Sequence, residues 1–286
     1  MDEFTYNSGE YPPGHFYSPI NDHDFLKSRE DEIWKNGDKP EVIEDIELNT
    51  DKQLELLKSF SQYYPEIPFK CKKQPDLRYF FKNGVYDEMD GTILYSMIRT
   101  LKPKKIIEAG SGFTSALMMD VNNLFFDNNI ELTFIEPFPE RLYSLMVKKD
   151  KINNEVIPTI LQDVDLNKFK KLEPNDILFI DSSHIVKTDS DVQYILFKIL
   201  PLLKSGVYIH FHDIFYPFQY PKQWILHNRW NWNELYFLRA FLMNNNQFEI
   251  ILFTDYLDRY YKKSFNDMVH NTNYGYHGGS LWLKKV

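Results

Sequence analysis

Two segments in the second half of the chain end in side chains that exchange protons or hold charge. The run Phe-Ile-Asp-Ser-Ser-His at 179–184 supplies Asp181 and His184, and the run Val-Tyr-Ile-His-Phe-His-Asp at 207–213 supplies His212 and Asp213. An imidazole with an ordinary pKa near 6.5 accepts and releases protons around neutral pH. Both runs start as apolar stretches typical of buried strands. If the strands are neighbours in a parallel sheet, their carboxyl ends bring the four side chains together.

A second segment is typical of a strand that runs through a glycine turn into a helix. Residues 104–115 read Lys-Lys-Ile-Ile-Glu-Ala-Gly-Ser-Gly-Phe-Thr-Ser. Gly110 and Gly112 let the backbone turn sharply and approach a ligand, and the helix that follows offers free amide groups. Glu108 stands two residues before the first glycine, and Ser115 stands where a dinucleotide fingerprint would have its third glycine. The segment is therefore a candidate nucleotide-binding turn that differs from the dinucleotide-binding fingerprint.

The elements that must position these residues follow an alternating pattern of apolar runs and helical periods. The pattern predicts an α/β fold: a doubly wound, Rossmann-like, seven-stranded and mostly parallel sheet with an antiparallel last strand, plus an N-terminal extension. After the strand at Lys104, the predicted strands are Glu131–Glu136, Val156–Leu161, Asp176–Asp181, Gly206–His212, Phe248–Thr254 and Ser280–Lys284. The predicted helices are Asp51–Tyr63, Asp87–Leu101, Thr114–Phe126, Pro139–Lys148, Ser190–Leu203 and Trp232–Met243.

Two stretches give weaker signals. Alternation within Glu41–Glu47 suggests a short edge strand, and the polar stretch Asp255–Gly279 has no convincing long helix. Domain boundaries are expected at an N-terminal arm and helix over 1–75 and a catalytic domain over 76–286. The arm is rich in aromatic residues, proline and glycine. It is interpreted either as an extension packed on the core or as a lid over the substrate site.

Acidic residues at the strand ends complete a set with the glycine turn. Together Glu108, Gly110, Gly112, Glu136 and Asp163 resemble the class I S-adenosylmethionine-dependent methyltransferases. The resemblance implies that the glycine turn binds the cofactor's methionine part, that Glu136 holds the ribose hydroxyls and that Asp163 meets the adenine amino group. A carboxylate suits two hydroxyl donors. The expected cofactor-binding residues are Glu108, Gly110, Ser111, Gly112, Thr114, Ser115, Glu136, Asp163 and Asp181.

The Asp-Ser-Ser-His and His-Phe-His-Asp motifs narrow the resemblance. They are similar to the branch that includes macrocin-type sugar O-methyltransferases and cephalosporin-hydroxylase-like proteins. This resemblance implies a divalent cation, Mg²⁺ or Mn²⁺, held by Asp181, His212 and Asp213, with His184 as the general base. His212 departs from the branch, which has an acid there. Because Mg²⁺ prefers oxygen ligands, an imidazole favours Mn²⁺ or another transition ion, and a metal-free alternative has His212 hydrogen-bonded to Asp181.

The expected acceptor is a hydroxyl of a sugar or glycan-related small molecule. The resemblance implies it, and an aromatic, proline-punctuated stretch at 216–232 could cover the apolar face of a sugar ring. The same stretch could equally be a structural loop. Two other functions stay open: an NAD-dependent nucleotide-sugar enzyme, since Tyr194 and Lys198 have the Tyr-x-x-x-Lys spacing, and a noncatalytic protein that binds S-adenosylmethionine.

Composition limits the remaining classes. The chain has 286 residues and a formal net charge of -8, which argues against nonspecific nucleic-acid binding. Cys71 is the single cysteine, so intrachain disulfides and thiolate metal clusters are excluded. No apolar run approaches the roughly 18 residues of a membrane span, and the first residues do not resemble a signal peptide. We therefore expect a cytoplasmic protein without a membrane span, and leave open whether it forms a homo-oligomer.

Overall fold

In the computed structural model, which describes residues 10–35, 40–268 and 278–286, the chain forms one seven-stranded sheet covered by helices. The strand order is β3-β2-β1-β4-β5-β7-β6. Every neighbouring pair from β3 to β5 is parallel, whereas β7 lies antiparallel between β5 and β6. The strands are β1 Lys105–Ala109, β2 Glu131–Ile135, β3 Glu155–Ile157, β4 Ile177–Ile180, β5 Tyr208–Phe211, β6 Phe248–Phe253 and β7 Leu281–Lys285. The predicted fold class and its antiparallel last strand are confirmed.

The helices fall close to the predicted ranges, and most differences lie at their ends. One predicted helix, 190–203, is split into a short α-helix, a π-helical turn at Ile195–Ile199 and a 3₁₀ turn at Leu200–Leu202. A second π-helical turn occupies Gln223–His227. The α-helices are α1 His23–Ser28, α2 Glu30–Ile33, α3 Thr50–Ser59, α4 Glu88–Leu101, α5 Phe113–Phe125, α6 Glu140–Leu145, α7 Asp150–Asn153, α8 Leu166–Lys170, α9 Asp191–Tyr194, α10 Glu234–Leu242, α11 Thr254–Tyr260 and α12 Lys262–Met268.

One local prediction is wrong. The edge strand expected within Glu41–Glu47 does not form, because Asp45 adopts a left-handed conformation with φ 63° and the segment turns. Ile43 and Ile46 are nevertheless buried, which explains why the apolar alternation misled. The stretch after β6, expected to have no long helix, begins with two seven-residue helices, α11 and α12, and residues 269–277 lie outside the described part of the chain.

The hydrophobic core is continuous and lies between the sheet and the helices on its two faces. Central strands such as β4 are buried at every residue, as expected for parallel strands with helices on both sides. The core also includes residues of the predicted arm and helix region, from Ile43 through Phe69. Since parallel β1, β2, β4 and β5 run in the same direction, their carboxyl ends form one rim, and this rim carries the candidate site.

Candidate active site

The turn after β1 depends on glycine at one position. Gly110 has φ 83°, and a Cβ built there would lie 1.8 Å from the carbonyl oxygen of Asp181 at the end of β4. No side chain fits between these two backbone segments, so only glycine permits the approach. The amide of Gly112 then donates to Ser115 Oγ (3.0 Å), which fixes the start of α5. The predicted nucleotide-binding turn is therefore tight and braced on the neighbouring strand.

Glu108 points one carboxylate oxygen at a protein partner and leaves the other without one. The carboxylate is fully buried and accepts a hydrogen bond from the Ser115 hydroxyl. Its Oε1 makes no hydrogen bond within the described part of the chain. Burial raises the pKa of Glu108 to about 8, with Ser115 opposing the shift. A buried oxygen without a donor at a glycine turn suits the amino group of a bound ligand.

Glu136 lies beside the same turn, at the end of β2. Its Oε2 accepts from the backbone amide of Ser111 (3.0 Å) and its Oε1 from that of Phe138 (2.9 Å). These bonds hold the carboxylate at the boundary between two adjoining cavities of about 570 and about 380 Å³. Both cavities are lined by Gly110, Glu136 and Asp181. The ligand region is therefore one continuous rim along the ends of β1, β2 and β4.

Six of the nine predicted cofactor residues line the two cavities, whereas Glu108, Ser115 and Asp163 do not. Ser111, Gly112 and Thr114 line the larger cavity, with Ser115 buried directly behind them. Asp163 is exposed at the end of the 3₁₀ turn Leu161–Asp163, while its neighbour Gln162 lines the smaller cavity. The turn thus occupies the expected place, but it presents an amide side chain there.

The four residues of the two motifs converge on the larger cavity, and His184 lies at their centre. Its Nε2 is 3.5 Å from Asp181 Oδ1 and 3.7 Å from Asp213 Oδ2. Its Nδ1 is 2.8 Å from Glu234 Oε2, at the start of α10. His184 and Asp213 both have positive φ, 57° and 58°, so the two loops bend sharply after their strands. The expected proximity of these side chains is present in the fold.

Neighbouring charges and burial shift the pKa values of the side chains in this cluster. Burial alone would lower the pKa of His184, but Asp181 and Glu234 raise it well above its ordinary value. Loss of hydration would raise the pKa of Asp181, yet His212 and His184 lower it to about 2. Burial raises the pKa of Asp213 to about 6, against the opposing effect of His212 and His184. The carboxylates around His184 thus favour its charged form.

The atoms best placed for a cation differ from the predicted set. Among the described residues, one ligand atom each from Asp181, His184 and Asp213 lie within 4.8 Å of one another. His212, expected in that set, is buried with Nε2 3.5 Å from Asp213 Oδ1 and Nδ1 without a hydrogen bond among described residues. Its ring lies 5.0 Å from that of Tyr86. No hydrogen bond joins His212 to Asp181 within the described ranges.

Three tryptophans form one wall of the same cavity. Trp224, Trp230 and Trp232 all line it. The rings of Trp230 and Trp232 are stacked with centroids 4.4 Å apart, and Trp224 lies 5.4 Å from Trp232 nearly at a right angle. Trp232 also packs 4.3 Å from the His184 ring. The aromatic stretch at 216–232 therefore lies next to the proposed base.

Two features of the site are not predicted by the sequence: the contact of Glu234 with His184 and the burial of Asp90. Glu234 starts a helix, where an acid is ordinary, so its sequence position does not reveal its contact with a histidine 50 residues earlier. Asp90 lies in α4 behind the cluster, where it is buried and accepts from the Ser280 hydroxyl (2.7 Å). Burial raises the pKa of Asp90, and His212 opposes that shift.

Comparisons with known proteins agree with this geometry. A family model described as "Methyltransferase domain" matches residues 107–214, which span the glycine turn and both motifs. A protein of Archaeoglobus fulgidus, described as uncharacterized, is 37% identical over 175 residues, covering 58% of this chain and 76% of the archaeal protein.

Solved structures of methyltransferases are also similar to this chain, but distantly. The O-methyltransferase TomG from Streptomyces achromogenes, involved in tomaymycin synthesis and in complex with SAM, is 16% identical with TM-score 0.44, covering 81% of this chain and 89% of TomG. CmcI with Mg-SAM is 17% identical with TM-score 0.43, covering 79% of this chain and 84% of CmcI. The matched methyltransferase domain, on the seven-stranded sheet described above, carries the assignment: the chain belongs to the class I S-adenosylmethionine-dependent methyltransferases.

Proposed function

We propose that this enzyme transfers a methyl group to a hydroxyl oxygen of a sugar or glycan-related small molecule, with His184 as the general base. One observation carries the proposal: His184 lines the larger cavity with Nδ1 bonded to Glu234 and Nε2 directed between two carboxylates. An imidazole in this position can accept a proton from a hydroxyl bound in the cavity. His184 is buried, so bulk water does not compete freely for its Nε2.

The residues around the glycine turn fit S-adenosylmethionine. Glu108 has a free buried oxygen for the amino group, and the turn at Gly110 leaves no side chain in the way. We assign the ribose hydroxyls to Glu136. We assign the adenine to the smaller cavity, where the turn carrying Asp163 contributes Gln162. Bound S-adenosylmethionine supplies an electrophilic methyl group on a sulfonium sulfur.

A divalent cation fits the carboxylates that flank the base. Asp181 and Asp213 offer the oxygen ligands that Mg²⁺ and Mn²⁺ prefer, and His212 adjoins Asp213. A bound cation would offset the negative charge that raises the pKa of His184, and would leave its imidazole able to accept a proton. His184 is itself within reach of the cation as a ligand. We assign His184 the proton because Asp181 and Asp213 already offer the oxygen ligands that these cations prefer, which leaves Nε2 for the acceptor hydroxyl.

The protein's part in the reaction is positioning and proton removal. The tryptophan wall and the carboxylates orient the acceptor, and His184 Nε2 takes the hydroxyl proton as the oxygen attacks the methyl carbon. The methyl–sulfur bond breaks in the same step, and S-adenosylhomocysteine leaves. General base catalysis typically contributes about 10²–10⁴-fold, whereas holding the reactants in line can contribute more. The cavity of about 570 Å³ is large enough for the methionine part of the cofactor and a sugar-sized acceptor.

The acceptor class is supported by the wall beside the base. Trp224 and the stacked pair Trp230 and Trp232 present apolar ring faces, while Asp87 and Asp213 line the same cavity with hydrogen-bond acceptors. A sugar ring has apolar faces that suit the tryptophan rings and hydroxyl donors that suit the carboxylates.

The test is transfer of labelled methyl from S-adenosylmethionine to a panel of sugars and nucleotide sugars, with Mg²⁺, with Mn²⁺ and after exhaustive chelation. We expect methyl ethers on at least one sugar, and a loss of turnover on chelation that added cation restores. Transfer exclusively to amines or to phosphates would contradict the hydroxyl assignment. Full activity after chelation would remove the cation from the proposal.

A further inference from the structure

We infer that Glu234 is a positioning residue for the proposed base: its carboxylate holds the Nδ1 proton of His184 and thereby directs Nε2 at the acceptor. This inference rests on the proposed role of His184. The Nδ1 to Oε2 distance is 2.8 Å, the shortest contact that His184 makes to any of its three carboxylate neighbours. An imidazole held at one nitrogen presents the other in a fixed direction.

The carboxylate of Glu234 is placed where it can serve little besides His184. Its side chain is 1% exposed, and its Oε1 makes no hydrogen bond within the described part of the chain. Burial raises the pKa of Glu234, and the contact with His184 opposes that shift. An acid enclosed this far from water costs stability unless it has a partner. Within the described residues, the partner is the imidazole.

Residues next to Glu234 also hydrogen-bond the loop that carries His184. The amides of Asn233 and Glu234 both donate to the carbonyl oxygen of His184, at 3.1 and 3.2 Å. The Asn233 side chain accepts from the amide of Val186 (2.6 Å) and donates to its carbonyl oxygen (3.2 Å). Trp232 covers the ring of His184. Three consecutive residues at the start of α10 thus fix both the loop and the ring, despite the left-handed backbone of His184.

The experiment compares Glu234→Gln, His184→Gln and the double variant in the full-length enzyme. Glu234→Gln keeps the size of the side chain and replaces the charged acceptor with a neutral amide. We expect unchanged affinity for S-adenosylmethionine and a turnover about 10- to 100-fold lower. In the double variant we expect no further loss beyond His184→Gln, because Glu234 acts through that ring. Glu140→Gln, the same substitution at the start of α6, is the control and keeps normal turnover.

A spectroscopic reading separates positioning from mere structural support. In ¹⁵N-histidine-labelled protein, the hydrogen-bonded Nδ1 proton of His184 gives a low-field resonance, identified by its loss in His184→Gln. We expect that resonance to shift upfield or vanish in Glu234→Gln while the fold is retained. An unchanged resonance, or losses that multiply in the double variant, would overturn the inference. Normal turnover in His184→Gln would overturn both the base assignment and the inference, whereas normal turnover in Glu234→Gln alone would overturn only the inference.

Discussion

Glu108 is an acid that the fold buries before any ligand arrives. Burial raises its pKa to about 8, which favours the protonated carboxyl at neutral pH. Because this value is above that of an exposed glutamate, the group's contribution to stability falls as pH rises between about 4.5 and 8. A cationic amino group bound at Oε1 would favour the carboxylate form. Cofactor binding should therefore release this proton.

For Glu108→Gln we expect weaker S-adenosylmethionine binding and no proton release from this position. In the wild type, affinity should rise with pH up to about 8, since the carboxylate form is the one that binds the amino group. Titration calorimetry in two buffers of different ionisation enthalpy measures the protons released at pH 7. Equal release by the wild type and Glu108→Gln would contradict the assignment of Glu108 to the amino group.

At the scale of elements, the N-terminal arm packs on the segment that carries the tryptophan wall. The amide of Asn21 donates to Asn231 Oδ1 (2.9 Å), and the indole of Trp34 donates to the carbonyl oxygen of Tyr220 (2.9 Å). Lys222 Nζ pairs with Glu30 at 2.9 Å. The arm thus packs against the outside of the segment that carries the wall, and none of its described residues lines either cavity.

Removal of residues 1–39 should leave the fold and cofactor binding intact and impair turnover. Among the described residues the buried core begins at Ile43, and the arm adds only the partly buried Leu26 and Trp34, so the truncated protein keeps its buried residues. We expect unchanged S-adenosylmethionine affinity by calorimetry and a raised KM for the acceptor or a lost kcat, because the tryptophan wall loses its support. Trp34→Phe keeps an aromatic side chain, loses the indole N–H that bonds the carbonyl oxygen of Tyr220, and should show a smaller effect. Normal kinetics of the truncated protein would contradict the lid interpretation.

The elements were predictable to the extent that their signal is local. Buried parallel strands leave apolar runs that end in polar residues, which is why β1, β4 and β5 and the rim they share could be read from sequence. The contact between Glu234 and His184 joins residues 50 positions apart, and no local sequence pattern predicts it. Likewise, the left-handed Asp45 overrides the alternation around it. The sequence pattern therefore predicts that the two motifs share one rim, and it does not predict the contact of Glu234 with His184.

At the scale of the whole molecule, a buried ion network fastens the segment before α4 to the sheet's outer helices. Arg78 bonds Asp120 in α5 at 2.6 Å and Asp150 at the start of α7 at 2.5 Å. All three side chains are less than a tenth exposed. The amides of Arg78 and Tyr79 also donate to Asp120.

No helix in the described residues is long and apolar enough to cross a membrane.

Arg78→Ala should destabilise the protein by about 3–5 kcal/mol, because two buried carboxylates lose their shared partner. Urea denaturation followed by circular dichroism measures the change. Arg29→Ala, which breaks an exposed pair with Glu32, is the matched control and should cost less than about 1 kcal/mol. A similar small cost for both variants would show that the buried network contributes little.

The central claim is that His184 removes the acceptor's proton, and single-turnover methyl transfer by His184→Gln tests it most directly. With enzyme in excess over labelled S-adenosylmethionine, and with an acceptor from the panel, the rate of label transfer reports the chemical step alone. We predict cofactor affinity within about 2-fold of the wild type and a transfer rate lower by about 10²–10⁴-fold, the range for a lost general base. A wild-type transfer rate in His184→Gln would contradict the mechanism.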